Sequence, residues 1–323
     1  MMVNSSRVPK AVVVGCGLMG ADIAAIFVNA GWTTTIVEVQ RSAWDIARSR
    51  IEKSVEQLGR QSEHYAIEFE ERLESVDWSG VRLVMECVPE VLDLKRTVFA
   101  ELDRIAPQDV LIGSNSSGLP ISVIAENCTT SFRMANAHFF LPAHLVPLVE
   151  LAKGKNTSAA TLKSLREIFA EVGRVPVQIE EDLPGFLANR MQHALMREAF
   201  SLVDRGLATP EDVDAAVRYG FGFRYMAAGP ILQKELSGLH TQLSAARTIY
   251  PSLCNDPQPS AGLAQLVSAG HLGAQTGQGY WQWTDEEIKM ARSRYDSMLQ
   301  GAAILLRSDI EDRIRKIRGV SRG

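Results

Sequence analysis

The sequence has 323 residues, of which 46% are hydrophobic and 22% are charged, and its formal net charge is −4. This length and composition predict a globular protein of about two domains and exclude a mini-protein, a disordered chain and a fibrous chain. Because 34 Lys and Arg face 38 Asp and Glu, the charge balance is too acidic to favour nucleic acid as a partner.

Short β-branched runs alternate with longer segments of helical period from residue 11 to about residue 180. This alternation is typical of βαβ units around a mainly parallel sheet. The predicted strands are residues 11–14, 34–38, 83–88, 110–114, 134–139, 148–151 and 175–179. We therefore expect a doubly wound α/β domain over residues 1–183.

The pattern changes after Pro184 and Gly185, where helical segments separated by Gly and Pro replace the strands. One helix is predicted over residues 186–205. Another begins after Thr209, which suits an N-cap and is followed by Pro210 at the first helical position. The charged stretch from residue 285 onward predicts a long amphipathic helix. Residues 184–323 are thus expected to form an all-helical C-terminal domain.

A glycine-rich GxGxxG turn follows the first predicted strand and opens a helical segment. The first glycine permits a tight turn, the second lets the backbone approach a pyrophosphate, and the third lets helix and strand pack closely. The residues of this turn predicted to bind the cofactor are Gly15, Gly17, Leu18, Met19 and Gly20. The alternative is a glycine-rich turn that binds no ligand.

Glu38 lies 18 residues after Gly20, at the end of the second predicted strand. A carboxylate at that place accepts hydrogen bonds from the adenosine ribose hydroxyls of a dinucleotide and repels a 2′-phosphate. With the glycine turn, Glu38 therefore predicts a Rossmann-type domain that binds NAD in preference to NADP. Arg41 weakens that preference slightly.

Four polar residues stand at predicted strand ends or at the domain junction: Ser117, His138, Glu150 and Asn189. Ligands of open α/β sheets bind outside the carboxyl ends of the strands, where these residues are expected to converge. His138 oriented by Glu150 is suited to take a hydroxyl proton while hydride leaves the same carbon. Ser117 and Asn189 are suited to bond the substrate oxygen as it becomes a carbonyl. For each, a capping or buried structural role is the alternative.

These motifs together resemble the NAD-dependent L-3-hydroxyacyl-CoA dehydrogenase family, in order over most of residues 10–282. The segments that carry the resemblance are the glycine turn, Glu86-Cys-Val-Pro-Glu90 with Lys95, Ser114-Asn-Ser-Ser117, His138-Phe-Phe-Leu-Pro through Leu148-Val-Glu150, and Pro184-Gly-Phe-Leu-Ala-Asn189-Arg190. The resemblance implies reversible hydride transfer between NAD and an L-3-hydroxyacyl substrate, as in fatty acid metabolism, with His138 as base and Glu150 as its partner.

The same resemblance implies further contacts and an assembly. Ser117 and Asn189 would contact the substrate oxygen, and Glu90, Lys95 and Asn115 would contact the cofactor. The helical domain would close the site and form a homodimer.

Three places depart from the family pattern. Leu141 stands where an Asn is usual beside the nicotinamide, and Gln275 replaces the Lys that usually precedes the Thr-Gly-x-Gly turn. Residues 220–230 are more similar to the branch with lambda-crystallin (L-gulonate 3-dehydrogenase), carnitine dehydrogenase and pyridine-aldehyde dehydrogenase. A free small acid is therefore an alternative substrate, with Arg224 as its carboxylate partner or else as a surface residue. A crystallin-like NAD-binding protein with little turnover is a further alternative.

The remaining histidines and the cysteines carry weaker signals. His193, one helical turn after Asn189, either lines the substrate pocket or packs between helices. Neither His64, His144, His240 nor His271 has metal-ligand spacing, so no metal is expected. The four cysteines include no CxxC pair, which favours reduced thiols, and neither a signal peptide nor an apolar run of roughly 18 residues is evident. We therefore expect a cytoplasmic protein without a membrane partner.

Overall fold

The computed structural model describes residues 8–60 and 65–319. The chain divides into two compact units. Unit 1 runs up to Leu187 and takes in the residues from Ala303 onward, and unit 2 is Ala188–Ala302. The sequence predicted a domain boundary after residue 183, with all of residues 184–323 in the second domain. In the structure the residues after Ala302 group with unit 1 instead.

The described residues of unit 1 contain an eight-stranded sheet with the strand order β3-β2-β1-β4-β5-β6-β7-β8. The strands are β1 (Lys10–Val14), β2 (Thr33–Val37), β3 (Ile67–Glu70), β4 (Val81–Glu86), β5 (Leu111–Ser114), β6 (Met134–Phe139), β7 (Leu148–Ala152) and β8 (Val175–Ile179). Every neighbouring pair is parallel except β6 and β7, which are antiparallel. The expected Rossmann-type, mainly parallel sheet is confirmed.

All seven strands expected from the sequence are present, and β3 is an eighth that was not predicted. The segment Ile67-Glu-Phe-Glu70 is short, lies at the edge of the sheet beside β2, and only Ile67 in it is buried. An edge strand with acidic residues at alternate positions lacks the continuous apolar run that marks a central parallel strand.

Helices cover both faces of the sheet in unit 1: α1 (Leu18–Asn29), α2 (Trp44–Gln57), α3 (Leu92–Ile105), α4 (Ile121–Ile124) and α5 (Ala159–Glu171). Successive β1 residues point to opposite faces, so Val13 joins an apolar core with α1, α2 and α5, while Val12 joins a second core with α3 and α4. Because α1 is buried along most of its length, its N-terminus is held firmly at the carboxyl end of β1.

Unit 2 is helical, as expected, with only isolated β-bridges near residue 278. Its helices are α6 (Ala188–Asp204), α7 (Pro210–Ala215), α8 (Gly222–Tyr225), α9 (Pro230–Ser237), α10 (Leu239–Ile249), α11 (Ala261–Ser268) and α12 (Asp285–Leu305), whose last turn belongs to unit 1. Thr209 caps α7 by accepting a hydrogen bond from the Asp212 N–H at 3.1 Å, as predicted. No residue of these helices is buried.

The charged C-terminal segment forms two helices where the sequence predicted one. Leu306 separates α12 from α13 (Arg307–Ile317), which packs against α5 and β8 of unit 1. Within the described residues, no helix combines the length and the apolar character that crossing a bilayer would require.

Candidate active site

The glycine turn between β1 and α1 has different steric demands at its three glycines. Gly15 has φ of +93°, and a Cβ there would lie 2.9 Å from the Cys87 carbonyl oxygen. A Cβ on Gly20 would lie 2.0 Å from the Gly15 carbonyl oxygen. A Cβ on Gly17 would meet no atom within 4 Å, so the space beside Gly17 is open to a ligand. The turn therefore fits a pyrophosphate at the N-terminus of α1.

Two other residues of the turn project differently from the helix N-terminus. Leu18 is exposed, whereas Met19 is partly buried and packs against the first apolar core.

Cys16, between the first two glycines, is buried, and burial together with the nearby Glu38 carboxylate raises the pKa of its thiol to about 11. The thiol beside the turn is therefore protonated at neutral pH.

Glu38 directly follows β2 and lies beside the glycine turn. Its Oε2 accepts a hydrogen bond from the Cys16 N–H at 3.2 Å, and its Oε1 accepts one from the Gln40 N–H at 3.0 Å. Arg41 forms an ion pair with Glu71 on the surface. The carboxylate is thus fixed at the place expected for the ribose hydroxyls of a dinucleotide.

Lys95 is the centre of a buried ionic cluster below the loop after β4. Its side chain is 1% exposed, and its Nζ lies 2.7 Å from Glu86 Oε1 and 3.3 Å from Glu90 Oε2. Its ammonium also donates to the Val88 carbonyl oxygen at 3.2 Å. Two carboxylates therefore share one buried ammonium. The attraction between Lys95 and these carboxylates offsets the cost of burying the Lys95 and Glu86 charges. The geometry makes Lys95 a support for Glu90, and its own contact with a cofactor stays a prediction.

Glu90 carries the exposed part of this cluster, with 41% of its side chain accessible. It accepts hydrogen bonds from the Ser116 hydroxyl and from the Gly118 N–H, the latter at 3.0 Å. Burial raises the pKa of the Glu90 carboxyl, but these bonds and Lys95 outweigh that effect and hold the pKa below its usual range. The exposed part of the cluster is therefore an ionised carboxylate.

His138 and Glu150 form a buried pair at the carboxyl end of β6. They stand directly opposite each other in the antiparallel register of β6 and β7, and His138 Nδ1 lies 2.9 Å from Glu150 Oε2. Both residues are buried. Because a carboxylate only accepts, Nδ1 carries the hydrogen and Nε2 is left with the lone pair that can take a proton. This pair is the arrangement that the sequence predicted.

Sequence reasoning missed two residues that hold this pair. The second oxygen of Glu150, Oε1, accepts a hydrogen bond from the Leu187 N–H at 3.0 Å. The buried ring of Phe186 lies 5.5 Å from the His138 ring, and its backbone has the left-handed φ of +47° that is uncommon outside glycine. A single sequence holds no signal for either contact, because both depend on the turn after Pro184.

The other predicted site residues of unit 1 follow β5. Asn115 Oδ1 accepts a hydrogen bond from the Phe139 N–H at 2.9 Å and so joins the ends of β5 and β6. Ser117 is exposed in the loop after Asn115. The structure thus brings the glycine turn, Glu38, Glu90, Asn115, Ser117 and the His138–Glu150 pair to one edge of the sheet, which we call the carboxyl edge.

Three predicted residues belong to unit 2. Asn189 and His193 lie on α6, where Asn189 is half-buried and His193 is exposed. Arg224 lies on α8 and is also exposed. Their predicted contacts with substrate stay predictions.

The described residues contain no cluster of three or more His, Cys, Asp or Glu side chains able to hold a metal ion. His64 lies outside those residues. The four cysteines are free thiols.

Comparison with known proteins gives two family matches. A family described as "3-hydroxyacyl-CoA dehydrogenase, NAD binding domain" matches residues 10–183, and "3-hydroxyacyl-CoA dehydrogenase, C-terminal domain" matches residues 185–283. Together they cover most of the chain, but not the segment that contains α12 and α13.

Individual relatives and solved structures extend these matches. The 5-formyl-3-hydroxy-2-methylpyridine 4-carboxylate 5-dehydrogenase of Mesorhizobium japonicum is 30% identical over 86% of this chain and 91% of its own. The L-carnitine dehydrogenase of Bacillus cereus is 32% identical over 73% of each chain. A crystal structure of the pyridine dehydrogenase, described as an NAD+-dependent dismutase, has a TM-score of 0.84, 27% identity, and covers 98% of this chain and 100% of that chain.

Proposed function

The chain is an NAD-dependent dehydrogenase of the 3-hydroxyacyl-CoA dehydrogenase family, and we propose that it interconverts a secondary 3-hydroxyl and a 3-keto group with His138 as general base. The observation that carries this proposal is the buried contact of 2.9 Å between His138 Nδ1 and Glu150 Oε2. A carboxylate in that position fixes the tautomer and orientation of the imidazole and stabilises the imidazolium that forms.

The proton path starts at His138 Nε2, which takes the proton of the substrate hydroxyl. The resulting imidazolium is stabilised by Glu150, whose other oxygen is already bonded to the Leu187 N–H. Because both oxygens are engaged, the carboxylate keeps its orientation as the ring gains charge. In the reverse direction the imidazolium returns the proton to the carbonyl oxygen.

NAD supplies the hydride acceptor when it is bound. In the proposal the glycine turn and the N-terminus of α1 hold the pyrophosphate, Glu38 holds the ribose diol, and Glu90 and Asn115 contact the nicotinamide half. Ser117 and, from unit 2, Asn189 bond the substrate oxygen; this assignment follows the family resemblance.

The substitution His138→Gln tests the proposal, because glutamine keeps a polar side chain but cannot act as a base near neutral pH. Removing a general base typically costs about 10²- to 10⁴-fold in rate. We expect kcat to fall by that order while NADH still binds, as measured by steady-state kinetics and NADH fluorescence titration. Full turnover by this variant would refute the role of His138.

The substrate class proposed first is an L-3-hydroxyacyl-CoA, the class that names the family, which would place the enzyme in fatty acid metabolism. A free small acid is the second candidate. It is favoured by the pyridine-carboxylate dehydrogenase structure, which matches 98% of the chain with a TM-score of 0.84.

Arg224 distinguishes the two substrate classes. A guanidinium binds a free carboxylate through two charged hydrogen bonds, each worth about 1.5 to 3 kcal/mol. We therefore expect Arg224→Met to raise KM about tenfold or more for a free hydroxy acid and to leave KM for a 3-hydroxyacyl-CoA nearly unchanged. The measurement is NAD reduction across acyl-CoAs, free 3-hydroxy acids and pyridine carboxylates. Equal effects on all three classes would remove the role assigned to Arg224.

We include a homodimer in the proposal because the helices of unit 2 have no buried residue. Large apolar side chains are exposed along them, among them Phe223 at 72%, Ile231 at 80% and Leu236 at 76%. Exposed apolar surface of this extent is typical of an interface between subunits. Sedimentation velocity should give the mass of a dimer, and a monomer across the micromolar range would contradict it.

The free cysteines support a reducing, cytoplasmic location.

A further inference from the structure

A second buried histidine–carboxylate contact lies behind the active site, on Asp22 of α1. Asp22 is completely buried. Its carboxylate accepts from Arg50 of α2, with Nε at 2.8 Å from Oδ1 and Nη2 at 3.1 Å from Oδ2. The Ala143 N–H donates to Oδ2 at 3.2 Å, and His144 Nδ1 lies 3.2 Å from the same oxygen. One side chain therefore joins two helices to the chain after β6.

The segment held by Asp22 is the loop from residue 140 to residue 147, which we call the β6–β7 loop. It leaves β6 directly after His138 and Phe139. His144 Nε2 lies 2.6 Å from Gln57 Oε1 at the end of α2, whereas its Nδ1 is close to Asp22 Oδ2 without hydrogen-bond geometry. On the other side, the buried Arg174 guanidinium donates to the His144 carbonyl oxygen at 3.0 Å. The middle of the loop is thus fixed by side chains from α1, from α2 and from the turn before β8.

The ionised form of the Asp22 carboxyl is stabilised by its neighbours. Burial raises the pKa of its carboxyl, but the contacts with His144 and Arg50 outweigh burial and hold the pKa below its usual range. A buried ion pair is weak support for stability, because well-packed apolar residues of similar volume often serve as well or better. Stability alone therefore does not explain an ionised aspartate in the middle of this helix.

The position of Asp22 suggests what it does. It lies in the first half of α1, two residues after Gly20 of the glycine turn proposed to receive the pyrophosphate, and it accepts a hydrogen bond from the loop that follows His138. We propose that Asp22 and His144 are a positioning pair that couples dinucleotide binding at the N-terminus of α1 to the placement of the β6–β7 loop, and thereby to the alignment of His138. This inference rests on the proposed function, because alignment matters only if His138 is the base.

The test compares two carboxylates that hold the two ends of β6. Asp22→Asn weakens the hold on the loop after β6. The matched control is Asp103→Asn, because the half-buried Asp103 on α3 accepts from the Thr129 and Thr130 N–H groups at 2.8 and 2.9 Å and holds the loop before β6. Hydrogen–deuterium exchange of peptides covering residues 140–147 is measured with and without NADH, beside steady-state kinetics.

We expect NADH to slow exchange in the β6–β7 loop of the parent and of Asp103→Asn. In Asp22→Asn, NADH still binds but the protection of the loop is lost. In the same variant kcat falls about 10- to 100-fold, the cost of a small misalignment, while the Kd for NADH changes less than about threefold. Parent-like protection and kcat in Asp22→Asn would overturn the inference.

A second variant keeps the test decisive if Asp22→Asn does not fold. His144→Gln retains the Arg50–Asp22 pair and removes only the ring that joins Asp22 to Gln57. Loss of the NADH-dependent protection in His144→Gln supports the coupling, and retained protection contradicts it. If none of the tested hydroxy substrates supports NAD reduction by the parent while its loop protection still depends on Asp22, the proposed function fails and the coupling stands. If the parent is active and both variants match it, the coupling fails and the function stands.

Discussion

At the ends of β1 and β2, the candidate site at the carboxyl edge is built mainly from backbone atoms of the glycine turn. Beside β6 and β7, it is built from the buried side chains of His138 and Glu150. The glycine turn works through the absence of Cβ atoms, and the one side chain it needs, Glu38, is held by backbone N–H groups. At the other end, His138 is held by Glu150, and Glu150 by the Leu187 N–H.

The difference has a physical reason. A pyrophosphate is bound by N–H groups and a helix N-terminus, which any sequence supplies once the backbone can approach closely enough. A proton is transferred by a group of suitable basicity and orientation, which only particular side chains in a particular contact provide. Substitutions in the glycine turn should therefore weaken NAD binding, whereas substitutions in the His138–Glu150 pair should lower kcat.

The largest expected effect is at the side-chain end. In Glu150→Gln the Leu187 N–H can still be bonded by the amide oxygen, but the negative charge beside His138 is lost. We expect kcat to fall by about 100-fold or more, within the range for general base catalysis, with Kd for NADH unchanged. Stopped-flow kinetics and NADH fluorescence separate the two quantities. If the affinity of Glu150→Gln for NADH fell as much as its kcat, the His138–Glu150 pair would affect binding as well as turnover, and the two regions would not differ in this way.

The next effect is at the backbone end, where two glycines give a matched pair. A Cβ on Gly20 lies 2.0 Å from the Gly15 carbonyl oxygen, whereas a Cβ on Gly17 meets no protein atom within 4 Å. Gly20→Ala should therefore lower both the melting temperature and NAD affinity, with an overpacking cost of about 1 to 3 kcal/mol.

Gly17→Ala should leave the melting temperature close to that of the parent and weaken NAD binding by about tenfold, because its methyl group occupies only the ligand's space. Thermal unfolding and isothermal titration of both variants give the comparison. Equal loss of stability in the two variants would show that Gly17 is needed for the fold and not for the cofactor.

The backbone end could be predicted from sequence because its signal is local. Gly15, Gly17 and Gly20 lie within six residues, and Glu38 directly follows the next strand, so a pattern of spacing is enough. Seven strands were found for the same reason, since each is a short run composed mainly of apolar or β-branched residues. The edge strand β3, half polar, was missed.

The side-chain end could be predicted only in part. Glu150 was assigned to His138 because an acid followed on the next strand, and the antiparallel register of β6 and β7 makes them neighbours. Leu187 acts through its backbone N–H, which no residue type encodes. His144 looked like a histidine without metal-ligand spacing, and its contact with Asp22 spans 122 positions of sequence. Such contacts follow from the path of loops, which a single sequence does not specify.

The smallest expected effect concerns the choice of cofactor, where the backbone end does depend on one side chain. The Glu38 carboxylate is held by the N–H groups of Cys16 and Gln40, so it stands ready both to accept from a ribose diol and to repel a 2′-phosphate. Glu38→Ala removes both interactions. NAD should bind more weakly by a factor on the order of ten, as expected for a lost charged hydrogen bond of about 1.5 kcal/mol, and the ratio of NAD to NADP affinity should fall further. Titrations of NADH and NADPH into parent and variant measure that ratio, with Glu74→Ala as the control, because Glu74 pairs with Arg104 on the surface. Equal affinities of the parent for the two cofactors would show that Glu38 does not select between them, and the backbone alone would then account for dinucleotide binding at this end of the sheet.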